Sequence, residues 1–335
     1  MNSAYRDGEG DRTGRAGPAA DVGRWFSTAA RPPSDHRRGL PRMPAWGPTP
    51  GDTFGHRSPP EVRDAALAAI RGRPTTILTG AGVSTASGLP DYRGQDAVPR
   101  TPMTYQEFTG SDLARRRYWA RSTVGWTQFS QAAPNIGHLR IAELADRLPI
   151  TGVITQNVDG LHQEAGSAPV IDLHGRLDRV RCLGCESLVG REQHQQRMLA
   201  MNPGFAEQLP QLAADAAQAP DGDAEVDRTS SFRYPGCGLC GGILKPDVVF
   251  FGESARRALV AESFALLEQS RALLVIGSSL TVMSGFRFVR RALADGRQVV
   301  ILNDGPTRGD AIATHRVHGR LEEVLGAWIQ TLDEA

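Results

Sequence analysis

The sequence of 335 residues lacks several features that would assign it to a special class. Its formal net charge is only +1, so no overall field favours nucleic acid or membrane surfaces. No apolar run approaches the ~20 residues of a membrane span, and no apolar signal-peptide core lies near Met1. Lys245 is the only lysine, so arginine carries almost all of the positive charge. We therefore expect a soluble, cytoplasmic protein with no nucleic-acid or membrane partner.

Cysteine is also scarce, with 4 residues, all of them in two Cys-x-x-Cys pairs. In a reducing compartment such pairs indicate a metal site before disulfides. Four thiolates close a tetrahedral zinc site and leave no open position for catalysis. We predict one structural zinc ion, with redox-active cysteines as the alternative; the ligands are Cys182, Cys185, Cys237 and Cys240. The insert between the pairs, about residues 191–232, predicts one or two exposed helices and a mobile loop.

Residues 1–51 are rich in Gly, Pro, Arg, Asp and Ser and contain few apolar side chains. Such a segment buries too little surface to offset the entropy of ordering it, so we predict a disordered tail. An organelle transit peptide is the less favoured alternative, because those peptides contain few acids and Asp7, Glu9 and Asp11 are present.

The most informative stretch begins with a β-branched run, Thr75–Leu78, that ends in Gly80-Ala81-Gly82. A strand that leads into a glycine turn can receive a phosphate, because the backbone can approach the anion and offer N–H groups. The dinucleotide fingerprint G-x-G-x-x-G is absent, since its third glycine is replaced by Thr85. Polar groups crowd the same loop and indicate chemistry on the bound nucleotide: Ser84, Asp91, Tyr92 and Arg93.

Strands and amphipathic helices alternate along the chain, which predicts an α/β fold with a Rossmann-like parallel sheet and helices on both faces. Polar motifs follow five predicted strands: Gly80–Ser84, Gln156–Asp159, His174, Gly277–Ser279 and Asn303–Gly305. Ligands bind outside the carboxyl ends of the strands in such sheets, so we expect these motifs to converge. A lone histidine is more often a core or surface side chain, but this clustering favours a function for His174.

The apolar run Val248–Glu253 predicts an extended segment. It is either a buried core strand or an edge that pairs with an extended peptide. We also expect a helix that opens at Pro59-Pro60 and runs to about Ile70, another over Asn135–Leu148, and a helix at residues 112–121 that is capped by Ser111 or Asp112.

The five polar motifs occur in a fixed order, with a four-cysteine module between the third and the fourth. By this order the chain resembles the sirtuins, the NAD-dependent protein deacylases, from about residue 59 to 335. The resemblance implies a catalytic domain over 52–335. Its Rossmann-like parts would span about 59–178 and 244–335, and a small zinc-binding module with a helical insert about 179–243. Details resemble the class II branch, which includes the mitochondrial lipoamidase-type sirtuin and its bacterial relatives; they are Pro90–Arg93, Arg117–Arg121, Val124–Trp126 and Lys245–Glu253.

The resemblance also implies NAD as co-substrate and acyl-lysine proteins or peptides as partners. His174 would be the general base and Asn157 would assist at the nicotinamide end. The cofactor contacts would be Gly80, Ala81, Gly82, Ser84, Asp91, Tyr92, Arg93, Gln156, Val158, Asp159, Gly277, Ser278, Ser279, Asn303, Asp304, Gly305 and Leu321. Val249 and Phe251 would flank the substrate lysine.

Tyr118 and Arg121 form the Tyr-x-x-Arg pattern with which desuccinylating sirtuins bind an acyl carboxylate. We therefore expect a preference for acidic or bulky acyl groups, although Arg121 could equally lie on a solvated helix face. A mono-ADP-ribosyltransferase and a non-catalytic NAD sensor stay open as alternatives. A Rossmann oxidoreductase is disfavoured by the missing third glycine.

Overall fold

The computed structural model describes residues 55–92, 102–215 and 229–335, all within one structural unit. The predicted disordered tail, the mobile loop of the insert after residue 215 and Arg93 lie outside the described residues. Within these ranges no helix is both long and apolar enough to cross a bilayer.

Six parallel strands form the main sheet in the order β3-β2-β1-β7-β8-β9. Their bounds are β1 Thr75–Thr79, β2 Ile150–Thr155, β3 Val170–Asp172, β7 Ala272–Ile276, β8 Gln298–Asn303 and β9 His315–His318. From β1 the strands β2 and β3 are added on one side of the sheet, and β7, β8 and β9 on the other, so the strand order has its switch point between β1 and β7. Two loops diverge at such a switch point and leave a crevice at the carboxyl ends of the strands.

Alternate side chains of the central strands bury against opposite helical layers, as the two-residue period of a strand requires. Ile77 and Leu274 belong to the core under one layer, and Leu78 and Leu273 to the core under the other. The first layer comprises α1 Pro60–Ile70, α4 Ile136–Leu144 and α10 Leu321–Asp333; the second comprises α8 Arg257–Glu268 and α9 Met283–Ala294. The predicted α/β fold with helices on both faces is confirmed.

A smaller antiparallel sheet has the order β5-β4-β6. Its strands are β4 Gly175–Cys182, β5 Leu188–Gly190 and β6 Leu244–Val248, and the helices around it are α2 Tyr105–Gly110, α3 Asp112–Phe129, α6 Arg191–Met201 and α7 Pro203–Asp215. The short helix α5, Leu161–Glu164, links β2 to β3. Ser111 caps α3, as predicted, by accepting a hydrogen bond from the Ala114 amide at 3.2 Å.

Several predicted elements differ from the structure. The strand expected at Val248–Glu253 lies earlier, at Leu244–Val248, because Gly252 adopts φ +78° and turns the chain. Pro246 is tolerated inside β6 because β6 is an edge strand of the small sheet. The helix expected over Asn135–Leu148 begins after its Asn135 cap but ends at Leu144.

The insert helices are not both exposed. Helix α6 buries Arg191, His194 and Gln195 against α3. The Arg191 guanidinium donates to the Ser122 carbonyl at 2.9 Å and lies 5.0 Å from the centre of the Trp126 ring. Polar side chains can therefore form a buried helix interface when a neighbouring helix supplies acceptors and aromatic faces.

Candidate active site

The loops that follow β1 and β7 touch at the switch point. The Gly82 amide donates to the Gly277 carbonyl at 2.9 Å, and a Cβ on Gly82 would lie 2.9 Å from the same oxygen. Gly277 itself adopts φ +60°, a conformation that favours glycine. Part of the reason for these glycines is thus contact between the two loops, in addition to the predicted approach of a phosphate.

Ser84 joins the β1 loop to the β2 loop. Its hydroxyl donates to Asp159 Oδ2 at 2.7 Å and accepts from Asn157 Nδ2 at 2.9 Å. His138 Nε2 lies 3.4 Å from the same oxygen, and the side chain is only 2% exposed. The Ser84 hydroxyl is therefore fully used within the protein. Its place in the site is to fix Asn157 and Asp159, and any contact with a phosphate would fall to the loop backbone.

Both ring nitrogens of His174 are bonded. Nδ1 lies 2.9 Å from the Gln156 carbonyl oxygen, which can only accept, so the proton resides on Nδ1. Nε2, 2.8 Å from Ser284 Oγ, is then the basic nitrogen and accepts from that hydroxyl. Burial lowers the pKa of His174 to about 4, and the nearby Arg287 cation acts in the same direction. The imidazole is consequently neutral at physiological pH, as a proton acceptor must be.

Sequence reasoning missed Ser284. This residue lies in the first turn of α9, where nothing in the local pattern distinguishes it from a helix-starting serine. Gly285 beside it leaves space for Gln156, since a Cβ there would lie 2.8 Å from the Gln156 side chain. The N-terminus of α9 thus packs directly on the β2 loop and carries Ser284 to His174.

Gln156 also reaches the β7 loop, because the Ser278 hydroxyl donates to Gln156 Oε1 at 2.7 Å. Ser279 bonds the Thr281 hydroxyl at 3.0 Å. Val158 differs from its neighbours: its side chain packs against the core of the small sheet, and its carbonyl accepts from the Leu177 amide. The Ser278–Gln156 bond holds the β2 and β7 loops together across β1, and Val158 ties the β2 loop to the small sheet.

The β8 loop lies at the other side of the crevice. Asn303 Nδ2 donates to the Gly305 carbonyl at 2.9 Å, and Asp304 pairs with Arg57 at 3.1 Å. Leu321 is the first residue of α10, where backbone amides have no partner within the helix. The Asp304 side chain therefore binds Arg57, and a nucleotide would meet the backbone and Asn303 here.

Tyr92 and Phe251 approach each other edge to face, with ring centres 6.0 Å apart. Phe251 also forms a parallel bridge with Thr104, so the predicted peptide edge is already paired at that residue. The Val249 amide donates to the His174 carbonyl at 2.8 Å. The segment Val249–Phe251 thus connects His174 to Tyr92, one of the predicted cofactor contacts. Asp91, half-buried, precedes Tyr92 in the same loop.

Tyr118 lies in a cluster of aromatic rings and is 3% exposed. Its ring centre is 5.1 Å from that of Phe250, the residue between Val249 and Phe251. Arg121 lies one turn further along α3 and is half-buried.

A pair of buried histidines behind the loops was also missed. His162 Nε2 lies 2.8 Å from the Thr79 hydroxyl, and its ring packs 5.0 Å from that of His138. Burial lowers the pKa of His162 to about 3, so it stays neutral. His138 lies in α4 and His162 in the short helix α5, and their contact follows only from the folded chain.

The four cysteine sulfurs lie within 4.8 Å of one another. Cys182 Sγ is 3.5 Å from Cys240 Sγ, and Cys185 Sγ is 3.7 Å from Cys237 Sγ. Zn–S bonds of about 2.3 Å in a tetrahedron place sulfurs about 3.8 Å apart, so the residues present fit a zinc ion. With four thiolates around one point, the predicted structural zinc site is confirmed as a ligand set.

The site belongs to the class of nucleotide-binding α/β enzymes. Its features are a crevice at the switch point of a doubly wound parallel sheet, a neutral histidine beside that crevice and a module with four thiolates. Comparison with known proteins identifies the family within this class. A profile of the Sir2 family matches residues 80–284. NAD-dependent protein deacetylase 1 of Mycobacterium avium (strain 104) is 50% identical over 273 residues, which cover 82% of this chain and 95% of the relative.

NAD-dependent protein deacylase SIR4 of Monosiga brevicollis is 44% identical over 267 residues, 78% of this chain and 86% of the relative. A solved structure of Sir2Tm bound to a propionylated peptide superposes with a TM-score of 0.63 at 28% identity, and the match covers 81% of this chain and 99% of that one. A structure of Sir2 with a p53 peptide and NAD⁺ gives a TM-score of 0.61 at 29% identity, over 81% and 97% of the two chains. The chain belongs to the Sir2 family.

Proposed function

We propose that this protein is an NAD-dependent protein lysine deacylase that transfers the acyl group to ADP-ribose and releases nicotinamide. The observation that carries the proposal is the neutral His174, whose basic Nε2 accepts a hydrogen bond from the Ser284 hydroxyl while Nδ1 donates to the Gln156 carbonyl. The Mycobacterium and Monosiga relatives are named as an NAD-dependent deacetylase and deacylase, which supports the same reaction.

NAD would supply the electrophilic ribose carbon. The crevice fits a dinucleotide because its polar loops surround one edge of the parallel sheet at the switch point, where backbone N–H groups can meet phosphate oxygens. The β1 loop would hold the diphosphate, the β7 loop the adenosine ribose and phosphate, and the β8 loop with Leu321 the adenosine. Asn157 and Asp159 would bind the nicotinamide end, and Tyr92 would cover the nicotinamide ribose. The guanidinium of Arg93 would pair with phosphate.

His174 would accept a proton from a ribose hydroxyl. The proton would go to Nε2 of His174, which accepts a hydrogen bond from Ser284 in this structure. A ribose hydroxyl would therefore take the place of Ser284 as donor to Nε2. Because the pKa of His174 lies well below neutrality, the base would be available over the physiological pH range. The zinc ion would be structural, since four thiolates leave it no open position.

We further propose that acyl-lysine proteins are the substrates, that the chain belongs to the class II branch, and that it prefers acidic or bulky acyl groups. Support for the acyl preference comes from the contact of Tyr118 with Phe250, which connects α3 to the segment that would flank the substrate lysine. We also propose that the protein is cytoplasmic. The small net charge supports the absence of nucleic-acid or membrane partners.

The test is mass spectrometry on acetyl-, succinyl-, glutaryl- and lipoyl-lysine peptides, each with and without NAD. We expect NAD-dependent loss of the acyl group with O-acyl-ADP-ribose as product, fastest for glutaryl or lipoyl. Intact peptides with nicotinamide released would replace the proposal with ADP-ribosyl transfer or NAD hydrolysis. Faster turnover of acetyl-lysine would overturn only the acyl preference. Arg121→Met removes the cation proposed to bind an acyl carboxylate and is therefore the matched variant for the succinyl and glutaryl peptides.

A further inference from the structure

Lys245 is the one lysine of the chain, and it is buried, with 4% of its surface exposed. A lysine in this position is unusual, because moving an ammonium group out of water is costly unless the charge is paired and hydrogen-bonded. Arginine carries the positive charge everywhere else in the sequence. The contacts of this ammonium group therefore indicate what it does.

The ammonium group joins the end of β6 to the turn that follows. Lys245 Nζ donates to the carbonyls of Pro246 and Val248 and lies 3.1 Å from Glu253 Oε2. It also lies 4.6 Å from the centre of the Phe250 ring. Its three donors are thus fully used, and its remaining face packs on an aromatic ring.

Glu253 completes the arrangement from the other side. Its Oε2 accepts from the Phe250 amide at 2.8 Å, while the Glu253 amide donates to the Phe250 carbonyl at 3.0 Å. The carboxylate that neutralises Lys245 therefore also closes the turn over Phe250–Glu253. The segment Val249–Phe251 therefore lies between Val248, whose carbonyl Lys245 binds, and Glu253, with which Lys245 pairs.

That segment adjoins the site at both ends. Val249 donates to the His174 carbonyl, and the Phe251 ring contacts Tyr92. The ring of Phe250, under the ammonium group, contacts Tyr118. A displacement of the segment would therefore move the groups proposed to flank the substrate lysine. The segment meets the NAD side through the Val249 amide at His174 and the Phe251 ring edge at Tyr92.

We propose that Lys245 is a positioning residue for the acyl-peptide site: through Val248, Phe250 and Glu253 it fixes the conformation of Val249–Phe251 for peptide binding. The inference rests on the proposed function and adds a residue to its substrate side. Lys245 does not contact the reacting atoms. Its loss should weaken peptide binding and leave NAD binding and the chemical step largely intact.

Because no other lysine is present, labelling with [13Cε]lysine gives one side-chain resonance that reports on this group alone. We expect this resonance to shift on titration with an acyl-lysine peptide and to stay in place with NAD alone. A resonance that is unmoved by saturating peptide would overturn the inference. This measurement uses the wild-type protein and requires no turnover.

Kinetics supply the second readout. Lys245→Met should raise the KM for the acyl peptide about tenfold, with kcat and the KM for NAD within about threefold, and Lys245→Arg should restore most of the loss. Arg147→Met, which breaks the distant Arg147–Asp333 pair, is the control and should leave all three parameters unchanged. An active wild type with an unchanged peptide KM in Lys245→Met would refute the role of Lys245 alone. A wild type that turns over no acyl peptide would refute the proposed function.

Discussion

Replacing Ser84 with alanine tests the junction that holds the site together. The hydroxyl is 2% exposed and bonds the Asp159 carboxylate at 2.7 Å and the Asn157 amide at 2.9 Å. A hydrogen bond to a charged group contributes about 1.5–3 kcal/mol, and an unsatisfied buried donor costs about 1–3 kcal/mol. We therefore expect Ser84→Ala to lower the free energy of unfolding by about 3 kcal/mol.

Denaturant unfolding measures this loss, and initial rates at varied NAD measure its effect on the site. Because Asn157 and Asp159 lose their common partner, we expect kcat/KM for NAD to fall about 100-fold. Thr85→Ala is the matched control, since its exposed hydroxyl makes one bond to the Gly82 carbonyl and should change stability by no more than about 0.5 kcal/mol. A Ser84→Ala protein with wild-type stability and kcat/KM would refute this account of the junction.

Three further predictions concern metal, backbone and pH. Metal analysis should find one zinc per chain, and Cys240→Ser should lose it together with thermal stability; full stability without metal would contradict a structural role. Gly82→Ala should cost about 1–3 kcal/mol in denaturant unfolding because its Cβ would meet the Gly277 carbonyl, whereas Gly204→Ala, in helix α7 with open space around it, should cost nothing and can stabilise the helix slightly. Burial lowers the pKa of His194 to about 3, so the unfolded chain binds a proton there below about pH 6.5 while the folded chain does not. Stability should therefore fall as the pH decreases from 7 to 5, and His194→Leu should make that fall less steep; identical slopes for the two proteins would refute the assignment.

The central strands could be predicted because their pattern is local. Ala272–Ile276 is a short apolar run that leads into the predicted Gly277–Ser279 motif, and it forms β7. The edge strand β9 was not predicted, since His315–His318 contains three polar residues and becomes a strand only by pairing with β8. The motifs that follow the strands could be placed at one edge of the sheet, because strand–helix alternation predicts parallel strands and the carboxyl ends of parallel strands share one edge.

Long-range partners of polar groups could not be predicted in the same way. Lys245 and Asp247 are polar residues in a strand that is buried throughout, and their burial depends on Glu253 and Arg181. Likewise, Ser284 acquires its role only when α9 packs on the β2 loop. No local pattern carries that information, because each pair is distant in sequence or is formed by the packing of separate elements.

The most direct test of the central claim compares NAD binding and turnover in the wild type and in His174→Ala. We predict that calorimetry gives similar NAD affinities for the two proteins, because the loops proposed to hold the diphosphate are unchanged. Mass spectrometry should detect O-acyl-ADP-ribose only from the wild type, with the rate for His174→Ala lower by about 100-fold or more. Equal product formation by both proteins would contradict the assignment of His174 as the base, and NAD binding without any product from the wild type would identify a sensor instead of an enzyme.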